Sequence, residues 1–311
     1  MNPDGPVIVI GAAGIDVKGR PAEPLRLGTS VTGVVRSGTG GVARNVAENL
    51  ARLEVPTVLL SAVGQDHDGD YLLARTAEAG VDTRYVLRLP DVHTGSYVAL
   101  LDPDGQLVYS VSEYDIVGAI SPAYLQTHRR LFADASMLAI DANLSSRALA
   151  AVFRAARRYQ LPVCADPTSH VLATKLIPYL PELHMVAPDA QEAAILCDDP
   201  HAPTTSEAAI QTAQCLVSLG VKVAIVTLGE MGLAYSDGSA SGHIPALNTQ
   251  VTDRTGVGDA LTAAVIFGLL NEMPTDEALR LGIAAAALTL RTRESVHPDL
   301  SLDLLYDQLI V

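Results

Sequence analysis

From Ala135 onward the chain alternates short apolar runs with longer segments of helical period, and this alternation restricts the fold more than any other feature. Residues 137–140, 163–165, 185–186 and 223–227 read as strands, with helices expected at 146–159, 172–180 and 205–219. Repeated units of this length imply parallel strands, right-handed crossovers and helices on both faces of one sheet. Earlier, the β-branched run 7–10 reads as a strand buried on both faces, 58–63 as a second strand, and 70–80 as a helix closed by Gly80. The expected class is α/β, three layers around a mostly parallel sheet.

Residues 94–111 differ in kind. SYVALL and QLVYSV flank Asp102-Pro103-Asp104-Gly105, a turn signal that predicts a β-hairpin. A hairpin among α/β units needs a partner for its apolar face. The segment 18–36, rich in turn formers and without helical period, is the candidate. Together they are expected to form a small β lid, with segments about 17–36 and 93–113 inserted into a single domain spanning 1–311.

In a parallel sheet, ligands bind beyond the carboxyl ends of the strands. Asp16, Asp141, Asn143, Asp166, Asp189, Thr227 and Gly229 all fall at or just after expected strand ends. The stretch VTDRTGVGDALTAAVIFGLL (residues 251–270) then sets Gly256, Gly258 and Asp259 directly before an apolar, helix-length run. Uncapped N–H groups at such a helix start attract an anion, and Asp259 beside them is placed to act as a general base. A tight turn with an Asp cap is the plainer alternative. A second glycine-rich helix start, Gly40-Gly41, precedes apolar positions Val42, Val46, Leu50 and Leu53. Asn45 lies in its first turn, either reaching a ligand hydroxyl or serving as a surface or capping residue.

Composition narrows the partners. With 35 acidic and 21 basic residues the formal charge is −14, which repels a nucleic-acid backbone but admits a nucleotide neutralised locally by helix N-termini and a divalent cation. Cys164, Cys197 and Cys215 lack disulfide or zinc spacing and read as free buried thiols in a reducing compartment. The N-terminus has no signal-peptide pattern and no run is long enough to span a bilayer, so a cytoplasmic protein with no membrane partner is expected. Gly11 and Gly14 make G-x-x-G, not the dinucleotide fingerprint, and the eight histidines show no metal-ligand spacing.

DRTGVGD (residues 253–259) resembles the C-terminal signature D-T-[ST]-G-A-G-D of the PfkB, or ribokinase-like, carbohydrate kinases, with Arg254 and Val257 as departures. GGVARNVA, with Gly40, Gly41 and Asn45, is similar to the family's N-terminal signature, and the likeness runs over essentially the whole chain. The resemblance implies a ribokinase-like fold and ATP-dependent phosphoryl transfer. Asp259 would be the base, and the N–H groups from Thr255 through Gly256 and Val257 to Gly258 the anion hole. Asp16, Gly41 and Asn45 would hold sugar hydroxyls, with Lys18 and Gly40 beside the substrate. Asp189-Ala190-Gln191-Glu192 matches N-x-x-E, which organises Mg²⁺ through water, with Asp189 in place of Asn. VTLGEMG is similar to the nucleotide loop and places Thr227, Gly229 and Gly232 near ATP. Asp253 and Thr255 match part of a K⁺ site whose other half would lie near 292–297.

Within the family, GIDVKGRP and GGVARN look most like the pseudouridine kinases, so the expected acceptor is the 5′-hydroxyl of a nucleoside such as pseudouridine. Ribokinase-like, fructokinase-like and other nucleoside kinases stay open. So does a non-catalytic sugar or nucleotide sensor on the same fold, against which stands the retention of Asp259 with its glycines. Thr94, Ser96 and Tyr97 on the hairpin are the candidates for contacts to the base, a rigid decoration being the alternative to a lid, and related kinases dimerise through such lids, which favours a homodimer.

Overall fold

Alternation within the strands explains the layering. In the structure, a computed structural model that describes residues 4–310, β1 (Val7–Ile10) directs Val7 and Val9 into one apolar cluster and Ile8 and Ile10 into another. Both faces of the central sheet are covered for this reason. One face packs the helices Ser146–Tyr159 and Ser206–Ser218, the other Val42–Arg52, Val257–Leu270 and Thr275–Thr289.

Between β1 and the rest of that sheet come β2 (Gly14–Pro21) and β3 (Gly33–Gly40), then β4 (Thr57–Leu60), β5 (Ala62–Gly64), β6 (Leu87–Leu89), β7 (Gly95–Leu101) and β8 (Leu107–Glu113). The second half supplies β9 (Met137–Asp141), β10 (Val163–Asp166), β11 (Met185–Val186), β12 (Val223–Thr227), β13 (Leu233–Ser236) and β14 (Ser241–Ile244). The central sheet runs β14-β13-β12-β11-β10-β9-β1-β4, parallel from β12 to β4, with β13 and β14 antiparallel at one edge. From β1 the chain goes first to β4 on one side and later to β9 on the other. This reversal opens a crevice above β1, as expected for an open α/β sheet.

The lid is a second sheet, β3-β2-β7-β8. Its first half reaches further than expected, through regular strands Gly14–Pro21 and Gly33–Gly40 in place of an irregular 18–36 segment. β2 pairs antiparallel with β3 and parallel with β7, and that ladder, not side-chain burial, holds it extended. Asp16, Lys18, Arg36, Tyr97, Ala99, Ser110 and Ser112 turn one face to the crevice. The opposite face carries exposed Val35, Val98, Leu100, Tyr109 and Val111, joined by the pairs Val98↔Val111 and Leu100↔Tyr109.

Three local expectations are corrected. The run 58–63 is two strands broken at Ser61, whose hydroxyl donates to Gly11 O at 2.6 Å. Residues 172–180 hold only the end of a short helix, His170–Ala173, and then the 3-10 segment Thr174–Glu182, because Pro178 and Pro181 have no N–H to give an α-helical ladder. Of the three cysteines only Cys164 is fully buried, while Cys197 and Cys215 are partly buried. Among the described residues no helix is long and apolar enough to cross a membrane.

Candidate active site

The helix Val257–Leu270 begins without any side-chain cap, and its preceding residue Gly256 adopts φ 78°. A Cβ at Gly256 would stand 1.8 Å from the Ser295 carbonyl oxygen, so both conformation and space require glycine there. The loop ahead of it is anchored by Thr252 N donating to Leu290 O at 2.7 Å and by Thr255 N donating to Asp253 Oδ1 at 2.9 Å. Thr255 N–H is thereby used, which narrows the expected anion hole to Gly256, Val257 and Gly258. Their N–H groups have no partner among the described residues and sit at the positive end of the helix.

Asp259, in the first turn, is 8% exposed, and its Oδ2 accepts from Asn45 Nδ2 at 2.7 Å. Burial, and then the charge of Asp166, push its carboxyl well above the usual range, with the Asn45 bond opposing them. Asn45 is itself oriented, because its Oδ1 accepts from Arg44 Nη1 at 2.9 Å, while buried Arg44 is paired with Glu48. Neither Arg44 nor Glu48 stands out in the sequence. The helix Val42–Arg52 that carries Asn45 starts at Gly41, φ 92°, where a Cβ would meet Ala12 O at 2.6 Å. Its start is tied to the sheet by buried Asp141 at the end of β9, which accepts from Ala43 N at 3.1 Å and Ala12 N at 2.7 Å.

Asp16 on β2 reaches the same crevice and accepts from Ser295 Oγ at 3.2 Å. Burial raises its carboxyl, against the opposing Lys18 charge. Gly40 closes β3 against it, and a Cβ there would meet Asp16 Oδ1 at 2.2 Å, so Gly40 makes room for the carboxylate and is not among the crevice-lining residues. Lys18 lines the crevice, but its ammonium is held by Asp253 Oδ2 at 2.8 Å, linking lid to anion-hole loop. Tyr97 lines the crevice, joined by Tyr114, which sequence reasoning missed.

Two hairpin candidates are corrected. Thr94 is a structural link, accepting from Gly64 N at 3.0 Å and donating to Asp66 Oδ1 at 2.6 Å. Ser96 lies one residue from Tyr97 and therefore on the other face of the lid.

At the sheet end of the crevice, Asp189 and Glu192 form a reciprocal cap on the helix Ala190–Leu196: Asp189 Oδ1 accepts from Glu192 N at 2.8 Å and Glu192 Oε2 from Asp189 N at 2.9 Å. One oxygen of each has no hydrogen-bond partner among the described residues. Burial, with repulsion from Asp189, raises Glu192 to about 7, and burial with the Glu192 charge raises Asp166 to about 7. Hard oxygen donors that repel one another suit Mg²⁺. No group of three such side chains converges to ligate an ion directly among the described residues.

Thr227 lies against this cap, donating its N–H to Pro188 O at 2.9 Å. Gly229 follows with φ 59° and open space at its Cβ position. Gly232 has a different reason to be glycine, because a Cβ would stand 2.1 Å from Ile244 O, so it serves the β13–β14 hairpin. None of the three lines the crevice itself.

The whole cleft encloses about 1480 Å³ and runs from the lid to the Asp189–Glu192 cap. The family model for pfkB family carbohydrate kinases matches residues 6–301. This chain belongs to the PfkB family. It is 33% identical to a pseudouridine kinase of Escherichia coli, over 95% of this chain and 94% of that one. It is 30% identical to a guanosine-inosine kinase of Exiguobacterium acetylicum, over 93% and 95% respectively. An Arabidopsis thaliana ribokinase solved with ribose and ATP superposes with a TM-score of 0.83 at 22% identity, covering 100% of both chains. The chain thus has the ribokinase-like fold, and as a PfkB kinase it is a phosphotransferase that acts on a sugar or nucleoside hydroxyl.

Proposed function

We propose that this PfkB kinase transfers the γ-phosphoryl group of ATP to the 5′-hydroxyl of a nucleoside, pseudouridine being the acceptor best supported. The observation that carries the reading is the placement of Asp259 beside an uncapped helix N-terminus, in one cleft roofed by the polar face of the lid. Similarity to the E. coli pseudouridine kinase and to a guanosine-inosine kinase favours a nucleoside over a free sugar.

In this reading Asp16 and Asn45 orient the sugar hydroxyls, and Asp259 takes the proton of the attacking hydroxyl. The N–H groups of Gly256, Val257 and Gly258 stabilise the charge on the transferring group. Tyr97 and Tyr114 face the base. Glu192 and Asp189 would hold Mg²⁺ through water, and the ion would supply charge to neutralise the phosphates. A K⁺ ion has a poorer fit, since Asp253 already has one oxygen on Thr255 N and the other on the Lys18 ammonium. Measuring kcat/KM with ATP across pseudouridine, uridine, guanosine, inosine, ribose and fructose tests the assignment. Pseudouridine should lead, and a free sugar leading by tenfold or more would sink it.

The apolar outer face of the lid is proposed as the seat of a second copy of this chain. Val98, Leu100, Tyr109 and Val111 form an exposed apolar patch of the kind that marks an interface, with Val35 on the same face across Gly19, and a two-fold pair covers it with itself. Analytical ultracentrifugation should find a dimer, converted to monomer by Val111→Glu. A monomeric wild-type chain at micromolar concentration contradicts this.

A further inference from the structure

Arg254 departs from the family signature, and the chemistry above leaves its charge unused. The cleft is lined by the carboxylates of Asp16, Asp189, Glu192, Asp253 and Asp259 and must still accept a polyphosphate. Of the other arginines and lysines that line it, Lys18 is held by Asp253, Arg20 donates to Pro103 O on the lid hairpin, Arg36 lies on the lid strand β3, and Arg293 lies beyond the helix Thr275–Thr289. Arg254 alone among the lining residues is a cation on the anion-hole loop itself, two residues before Gly256.

Its present partner shows where the side chain reaches. Arg254 Nη2 lies 2.8 Å from Glu230 Oε1, and Glu230 sits in the turn Gly229–Met231 directly after β12. The guanidinium therefore spans the gap between the loop that starts the helix Val257–Leu270 and the loop beyond β12. In the nucleotide-binding reading, the polyphosphate crosses that gap from the β12 loop to the anion hole. The side chains are 46% and 79% exposed, so water screens the pair and breaking it costs little. A phosphate offers the same guanidinium two parallel hydrogen bonds and more charge.

We propose that Arg254 is a phosphate-binding residue, which leaves Glu230 when nucleotide enters and donates its N–H groups to the β- and γ-phosphate oxygens. The inference rests on ATP as the donor. In the transfer, the bond from the γ-phosphorus to the bridging oxygen of ADP breaks, and the acceptor oxygen forms the new bond. The hydroxyl proton passes to Asp259, while Arg254 holds charge and transfers no proton.

Isothermal calorimetry of ADP and AMP in Mg²⁺, with wild type, Arg254→Gln, Arg254→Lys and Glu230→Gln, decides the matter. Losing a hydrogen bond to a charged group is worth roughly tenfold to a hundredfold in affinity. Arg254→Gln should weaken ADP by that factor and leave AMP, which lacks the β-phosphate, unchanged, while its melting temperature stays at the wild-type value. Arg254→Lys should fall between. Glu230→Gln frees the guanidinium and should leave ADP binding equal or tighter. If Glu230→Gln weakens ADP as much as Arg254→Gln does, the pair is only a lock between loops and the proposal fails. Equal ADP affinity in Arg254→Gln and wild type also overturns it. A wild-type chain that binds no ADP overturns the nucleotide reading itself, and this proposal with it.

Discussion

Asp259→Asn keeps the fold and nucleotide binding but lowers kcat by roughly 10²–10⁴, the usual worth of a positioned base. The substitution keeps the shape of a residue that is 8% exposed, and an amide rotated to present its oxygen still accepts from Asn45 Nδ2. What disappears is the group that takes the proton. Wild-type kcat/KM should rise with pH, because the base form exists only above a pKa that burial and the Asp166 charge hold above the usual carboxylate range. The variant should lose that limb of the profile. Steady-state kinetics from pH 5 to 9 reads both effects, and a variant with near wild-type kcat removes Asp259 from the role of base.

Gly256→Ala should be nearly as damaging for a different reason. Its Cβ would collide with Ser295 O, and φ 78° is a conformation that alanine enters at a cost of about 1–3 kcal/mol. The loop must shift, and the N–H groups of the anion hole shift with it. Misplacing one such donor typically lowers kcat by about 10²–10³. Gly258→Ala is the contrast, since nothing lies within 4 Å of its Cβ position and its folding stability should hold. Thermal unfolding beside kcat separates the two variants. A Gly256→Ala chain with wild-type kcat would mean that the loop geometry is not part of the chemistry.

How much could be read in advance depended on how local the signal was. The helix Val257–Leu270 was legible because a glycine turn and an unbroken apolar run need no tertiary context. So were the strands of the parallel sheet, whose continuous apolar runs follow from burial on both faces. β2 and β3 were not, because β3 is largely exposed and β2 mixes glycine with charge, leaving no periodicity to detect. Their extension comes from pairing with β7, which lies some eighty residues downstream of β2.

The site divides the same way. Asp259, Gly256, Asn45 and Asp16 stood out by their spacing, whereas Ser295 meets Asp16 across 279 residues and Arg44 orients Asn45 from inside a helix that looks ordinary. Asp141 and Asp166 fell at expected strand ends, but that position alone does not show that one ties down a helix start and the other raises the base. Ser96 was a misreading that strict alternation could have prevented. With Tyr97 facing in, its neighbour must face out.

The central claim is tested most directly by the product. Phosphorus-31 NMR of a reaction containing the wild-type chain, ATP, Mg²⁺ and pseudouridine should show ADP and one new phosphomonoester. Its phosphorus should couple to two protons, as a 5′-CH₂ ester requires, and no such signal should appear with Asp259→Asn. Free phosphate without an ester, or an ester coupled to a single ring proton, would contradict the account.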